Sequence, residues 1–333
     1  MQYFCASLDF ELMKFRTEVA LPPRFLELSL SSHVMCSGSC FAKHVGRLMR
    51  DAMPDGNVCV CPHGVLYNPA SIAQELDALL RAPQDFRKDL AFRASDGQWR
   101  HWQWASNFAA ADCEALTSRL LSHEAAARTA MQKSQLWVVT FSTDHAYVLR
   151  DSARTVVANC HKEPGSRFEE TILRTEQMLT QWTELLSRLF DRCPAMRVVF
   201  TLSPYRYAKH GFHESALSKA RLLVLIDELR RRFPERTAYF PAFEIVTDEL
   251  RDYRFYAADM LHPSEQAVDY VWERFRRWSF SPILEEYRTD KEHILRDRSH
   301  RSLHPGSEAD LAFRAAAEER ERRFLEKWSK TEC

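Results

Sequence analysis

Short apolar runs alternate with longer stretches of helical spacing along most of this chain. His33-Val34-Met35-Cys36 is apolar and stops at Ser37-Gly38-Ser39, which predicts a buried strand leading into a tight turn. Phe41, Val45, Leu48 and Met49 then recur at the spacing of one helix face, predicting a helix to about Arg50. Val58 to Cys61 predicts a second strand. A loop with Pro62, Gly64 and Asn68-Pro69 follows, then a helix from Ser71 to about Arg81, capped by Ser71 or Asn68. Residues 82–112 hold aromatics, Trp99, Trp102 and Trp104 among them, with little regular pattern. A helix is predicted over about Asp112 to Lys133, and Leu136 to Phe141 is the clearest strand. Ala146–Leu149 and Thr155–Ala158 read as a hairpin. A long helix over about Phe168 to Arg192 is followed by a strand at Arg197 to Leu202. The remaining expectations are a helix over 215–233, a short strand at Ala238 to Phe240, a helix over 264–280, and a densely charged helical tail from about Asp310. Residues 1–32, punctuated by Pro22-Pro23, predict irregular chain.

Strands alternating with helices predict an α/β fold with a parallel sheet of about five strands, covered on both faces. Ligands in such sheets bind beyond the carboxyl ends of the strands. Ser39, Gly64, Ser142, Ser203 and the loop of His262 each follow one of the five strands, so all map to one edge.

Composition narrows the function. Lys+Arg and Asp+Glu each total 46, so the formal net charge is zero and no nucleic-acid partner is expected. The opening MQYFCASLDFELMKF lacks a basic leader and a long apolar core, and no apolar run is long enough to span a bilayer. Nine cysteines without an export signal read as reduced thiols, which points to the cytoplasm. Only 8 glycines are present, so Gly38 and Gly64 stand out as positions where the backbone demands one.

A serine hydroxyl becomes a nucleophile when a base removes its proton and a third group orients that base. Ser39 with His262 as base and Asp259, three residues earlier on the same turn, would supply that set. An oxyanion hole would draw on the Ser39 N–H, on Gly64, and on Asn159, which the hairpin returns beside the end of the third strand. Each residue also has a plainer reading, as a helix-start acid, a turn glycine or a loop asparagine. Cys59, Cys61 and His63 alternate on an extended run and, with Cys36 or Cys40, form a weaker zinc candidate. Cys40 is an alternative nucleophile, and Cys160-His161 an alternative reactive pair. No metal or cofactor is otherwise expected.

Gly38-Ser39-Cys40-Phe41-Ala42 resembles the signature that gives the GSCFA family its name, within the SGNH (GDSL-like) hydrolases. Gly64 to Pro69, Val157 to Lys162, Leu217 to Ala220, Tyr239 to Pro241 and Leu250 to Ser264 are similar to further blocks of that family, in order. The resemblance implies a flavodoxin-like three-layer α/β/α fold over residues 1–285, leaving 286–333 as a charged helical extension. It also implies a serine hydrolase with Ser39 as nucleophile, Asp259 and His262 as the late block, and Gly64 as the second-block glycine. The expected activity is that of an esterase or acyltransferase on a small-molecule or glycan O-acyl ester. Two departures stand out. Ser142-Thr143-Asp144 replaces the usual glycine and asparagine after the third strand, with Asn159 as the substitute, and Tyr207 stands where relatives carry histidine. Lys162, Arg206 and Tyr207 are the expected substrate-binding residues. A catalytically inactive binding module is the alternative, and oligomeric state is open.

Overall fold

The computed structural model describes residues 16–151 and 153–329. The leader reading of residues 1–15 lies outside them. In chain order, β1 (Val34–Gly38), α1 (Cys40–Ala52), β2 (Val58–Val60) and α2 (Pro69–Leu80) form the first unit. A small hairpin of β3 (Ala91–Arg93) and β4 (Trp99–His101) precedes α3 (Cys113–Lys133) and β5 (Leu136–Phe141). Next come β6 (His145–Leu149), β7 (Val156–Val157), β8 (Phe168–Ile172), α4 (Thr175–Arg192), β9 (Arg197–Leu202), α5 (Gly211–Arg232) and β10 (Thr237–Tyr239). The chain closes with α6 (Ala242–Glu244), α7 (Glu265–Ser279), α8 (Pro282–Ser299) and α9 (Glu308–Ser329).

Five strands form one sheet in the order β10-β9-β5-β1-β2, every neighbouring pair parallel. Counted along the chain this is 2-1-3-4-5, the flavodoxin-like doubly wound order, whose topological switch point lies between β1 and β5. Alternate residues serve opposite faces. Val34, Cys36 and Val138 join a core with α1, α7 and α8, while Met35, Trp137 and Val139 join one with α2, α4 and α5. The result is a three-layer α/β/α fold, as expected. No helix among the described residues is long and apolar enough to cross a membrane.

Three expectations change. The predicted long helix begins as a strand: β8 pairs antiparallel with β6, and α4 starts only at Thr175. β6 therefore has β7 on one side and β8 on the other, making a three-stranded antiparallel arm beside the main sheet. Residues 82–112 hold the β3–β4 hairpin, turned at Ser95 to Gly97. The boundary at 286 falls inside α8, whose Leu284, Tyr287 and Ile294 are buried; the first two join the core of α1 and α7. Asn68 rather than Ser71 caps α2, its Oδ1 accepting the Ser71 N–H at 2.9 Å.

Candidate active site

Gly38 ends β1 with φ +137°, and a Cβ there would lie 2.3 Å from the Thr140 carbonyl oxygen on β5. Only glycine lets the chain turn this close to its neighbour strand. Ser39 follows as the N-cap of α1. A serine in that position usually accepts a backbone N–H with its side chain, but Ser39 makes no cap bond. Its Oγ is buried without a hydrogen-bond partner, and the residue is 3% exposed. Buried hydroxyls are nearly always bonded, so this one is a group left available at considerable cost.

The late loop is tied internally. Asp259 Oδ2 lies 2.5 Å from His262 Nδ1, while Oδ1 accepts the Leu261 and His262 N–H groups at 2.9 and 3.0 Å. The His262 backbone N–H, then its ring, then the Leu261 N–H hold the Asp259 carboxyl down to about 2, so it is ionised at any ordinary pH. With Nδ1 engaged, Nε2 is the ring nitrogen left to exchange a proton. Tyr205 packs against the His262 ring, centroids 4.3 Å apart.

A cavity of about 490 Å³ opens at the carboxyl edge of the sheet, beside the switch point. Ser39, Ser142, Ser203 and His262 line its sheet side. The antiparallel arm lines it as well, through His145, Tyr147, Asn159 and Glu170. Ser39 and His262, 223 positions apart in sequence, therefore face one space. No hydrogen bond joins them in this structure, because Ser39 Oγ has no partner.

The other expected residues divide. Asn159 lines the cavity, and its Oδ1 accepts from Ser106 Oγ at 2.7 Å and from the His161 N–H at 2.8 Å. Both bonds fix the amide with NH2 as its free end. Tyr207 also lines the cavity. Gly64 does not: its N–H donates to the Cys61 carbonyl at 2.7 Å, and its φ of +87° brings it against Ala105. Lys162 is exposed in a left-handed turn away from the lining. Arg206 braces the late loop instead of reaching the cavity. Its N–H meets Leu261 O at 3.0 Å, its Nη1 meets Met260 O at 3.2 Å, and its guanidinium lies over Phe212. Trp102 and Trp104 are core, stacked on Phe92 and His63. Cys59, Cys61 and His63 form no cluster able to hold a metal among the described residues. Burial pushes the Cys36 and Cys59 thiols up to about 12, so both stay protonated. Cys40 and Cys160 line the cavity, with Cys40 Sγ 3.6 Å from the Tyr67 hydroxyl.

Asn68 is a lining residue that the sequence reading treated only as a cap. Because capping consumes its Oδ1, its NH2 group is the end left over. The signal was present in Asn68-Pro69: a cap asparagine spends its oxygen and keeps its NH2 to spare.

No curated protein matches the chain. Residues 33–275, from the strand that presents Ser39 to the helix that follows His262, match the GSCFA family, and the chain belongs to that family.

Proposed function

We propose that this protein is a serine esterase or acyltransferase of the SGNH type, acting on an O-acyl ester through an acyl-enzyme. The observation that carries this reading is the unpartnered, buried Ser39 Oγ sharing a cavity with a His262 whose Nδ1 is held by an ionised Asp259. In the proposed reaction, Ser39 Oγ bonds to the acyl carbon while His262 Nε2 takes its proton. Asp259 stabilises the imidazolium that forms. The carbonyl oxygen, now anionic, is met by the Ser39 N–H at the start of α1, where helix amides lack internal partners, and by the amides of Asn159 and Asn68. Collapse breaks the ester C–O bond, and the alcohol leaves with the His262 proton. Water or a second hydroxyl then takes the acyl group by the same steps in reverse. A cavity walled by Phe41, Tyr67, Val157 and Tyr205 favours an ester with an apolar portion, and Tyr207 offers a face on which a sugar ring can stack.

The missing Ser39–His262 bond favours a second reading, a binding module on the same fold, although unliganded catalytic sites are often loose. A fluorophosphonate probe separates the two. Stoichiometric labelling of the folded protein, abolished by Ser39→Ala and by His262→Ala, is expected of the enzyme. Folded protein that stays unlabelled, or Ser39→Ala that labels normally, refutes the triad.

A further inference from the structure

The arm side of the cavity carries a second group of residues that the serine chemistry does not use. Tyr147 and Glu170 are cross-strand partners on β6 and β8, and His145 lies two residues before Tyr147, on the same face of β6. His210, at the start of α5, stacks on His145 with ring centroids 4.6 Å apart. Among the described residues, His145, Glu170 and His210 are the one group of three whose ligand atoms all lie within 4.8 Å of each other. Glu170 Oε1 is 2.8 Å from His210 Nε2 and 3.9 Å from His145 Nδ1. Tetrahedral zinc, with bonds of about 2.0–2.1 Å, sets its ligands about 3.3 Å apart, between those two spacings.

His145 provides the independent observation. It is only 9% exposed, yet its ring makes no hydrogen bond, and Nε2 is buried without a partner. An imidazole without bonds in a polar surround is costly. Nε2 lies 3.7 Å from Glu214 Oε1 and 3.9 Å from Asp144 Oδ1, and the latter atom is also buried and unpartnered. Histidines that bind a metal through one nitrogen usually direct the other N–H to a carboxylate, which fixes the tautomer. Here the carboxylates favour hydrogen on Nε2, leaving the Nδ1 lone pair toward Glu170 and the cavity.

The surrounding charges fit. Lys209 holds the other oxygen of Glu170 at 2.5 Å, and Arg221 pairs with Asp144 and Glu214. Lys209 thus takes one oxygen of Glu170 and leaves Oε1 on the side of the two histidines. His210 and Glu170 are partly exposed, so their side chains have room to turn toward ligation geometry.

We infer that His145 Nδ1, Glu170 Oε1 and His210 Nε2 form a zinc-class divalent cation site on the cavity wall, with its fourth position facing the cavity. Asp144 and Glu214 orient His145. The site stands apart from the Ser39 triad and does not rest on the reading of that triad.

Full-length protein, stripped with a chelator, is titrated with zinc by calorimetry and with cobalt by visible absorption. One ion per chain with a micromolar or tighter Kd is expected, with a cobalt band typical of nitrogen and oxygen ligands. His210→Ala, at a partly exposed position, is expected to weaken binding at least about tenfold, as is Glu170→Gln. Cys59→Ser should leave it unchanged. Wild-type protein that takes up no stoichiometric ion overturns the site. So does binding that survives His210→Ala and Glu170→Gln undiminished, or a cobalt spectrum dominated by thiolate.

Discussion

Two asparagines show how one side chain can serve two ends. Asn68 spends its Oδ1 on the α2 cap, and Asn159 spends its Oδ1 on Ser106 and His161, so each amide keeps its NH2 in reserve at the cavity. Substitution by aspartate separates the roles. Asn68→Asp retains an acceptor for the Ser71 N–H, so the fold should hold, but it replaces a donor with a negative charge beside the developing oxyanion. Fluorophosphonate labelling of Asn68→Asp and Asn159→Asp should each slow by about 10²-fold or more, the usual cost of one lost oxyanion donor. Thermal stability of Asn68→Asp should stay near wild type, whereas Asn68→Ala also loses the cap, at about 1 kcal/mol. An Asn68→Asp protein that labels at the wild-type rate would remove Asn68 from the hole. At this scale the sequence was half legible. Motif, spacing and the return of the hairpin bring Ser39, His262 and Asn159 to one edge of the sheet, and they line one cavity there, with Asp259 bound to His262. Gly64 could not be judged, because whether its N–H faces a ligand or the Cys61 carbonyl depends on a turn that composition does not encode.

Elements were legible where their period was unambiguous. The main strands and helices emerged near their predicted places because a buried parallel strand is a short apolar block and a surface helix is not. The segment at 168–192 misled for a definite reason. Phe168 and Ile172 are four apart, and that spacing returns to the same face in a helix and in a strand alike, so β8 could pass for the first turn of α4. The β3–β4 hairpin had its Asp96-Gly97 turn in plain sight, but strands of three residues leave almost no alternation to read. α8 is tied to α1 by a similarly local contact. Buried Lys291 on α8 donates to the Met53 carbonyl just past α1 and pairs with Asp55 Oδ1 at 2.8 Å, pinning α8 to the carboxyl end of α1. Lys291→Met is expected to cost about 1–3 kcal/mol in urea unfolding, since it strands a buried carbonyl. Arg296→Met, which breaks only the exposed pair with Glu292, should change stability by less than about 0.5 kcal/mol.

Across the whole molecule, two buried ionisable groups set opposing pH limbs. Glu75 on α2 accepts from Ser37 Oγ and from the His63 N–H, and burial pushes its carboxyl up to about 7. Between the ordinary carboxylate range and pH 7 the native chain keeps a proton that the unfolded chain has released, so its contribution falls as pH rises. Lys219 on α5 is the reverse case. Its Nζ bridges the Ser142 and Ser203 carbonyls at 2.6 and 2.8 Å, and burial lowers it to about 7. From pH 7 to about 10 the unfolded chain binds the extra proton, and stability rises with pH. Buried His63, His101 and His161, held low by desolvation, add a separate contribution that rises with pH up to about 6.5, so the Glu75 and Lys219 contributions are read from urea midpoints of each variant against wild type at pH 5, 7 and 9. Relative to wild type, Glu75→Gln should make the midpoint change from pH 5 to 7 more positive and Lys219→Met should make that from 7 to 9 less positive, whatever each does to the absolute midpoint. A variant that keeps its limb would show that the group is not the source. Neither residue could be singled out from sequence, since a helix-face acid and a helix-face amine look alike until the partners across the sheet are known.

The antiparallel arm, finally, divides labour in the cavity. The doubly wound sheet presents Ser39 and His262 from its own strand ends and loops, whereas β6 to β8 line the same cavity as an excursion between β5 and α4. Molecules built this way can hold a fixed reactive platform while an inserted cassette of some thirty residues decides which guest is admitted, so bond-breaking power and choice of guest need not change together.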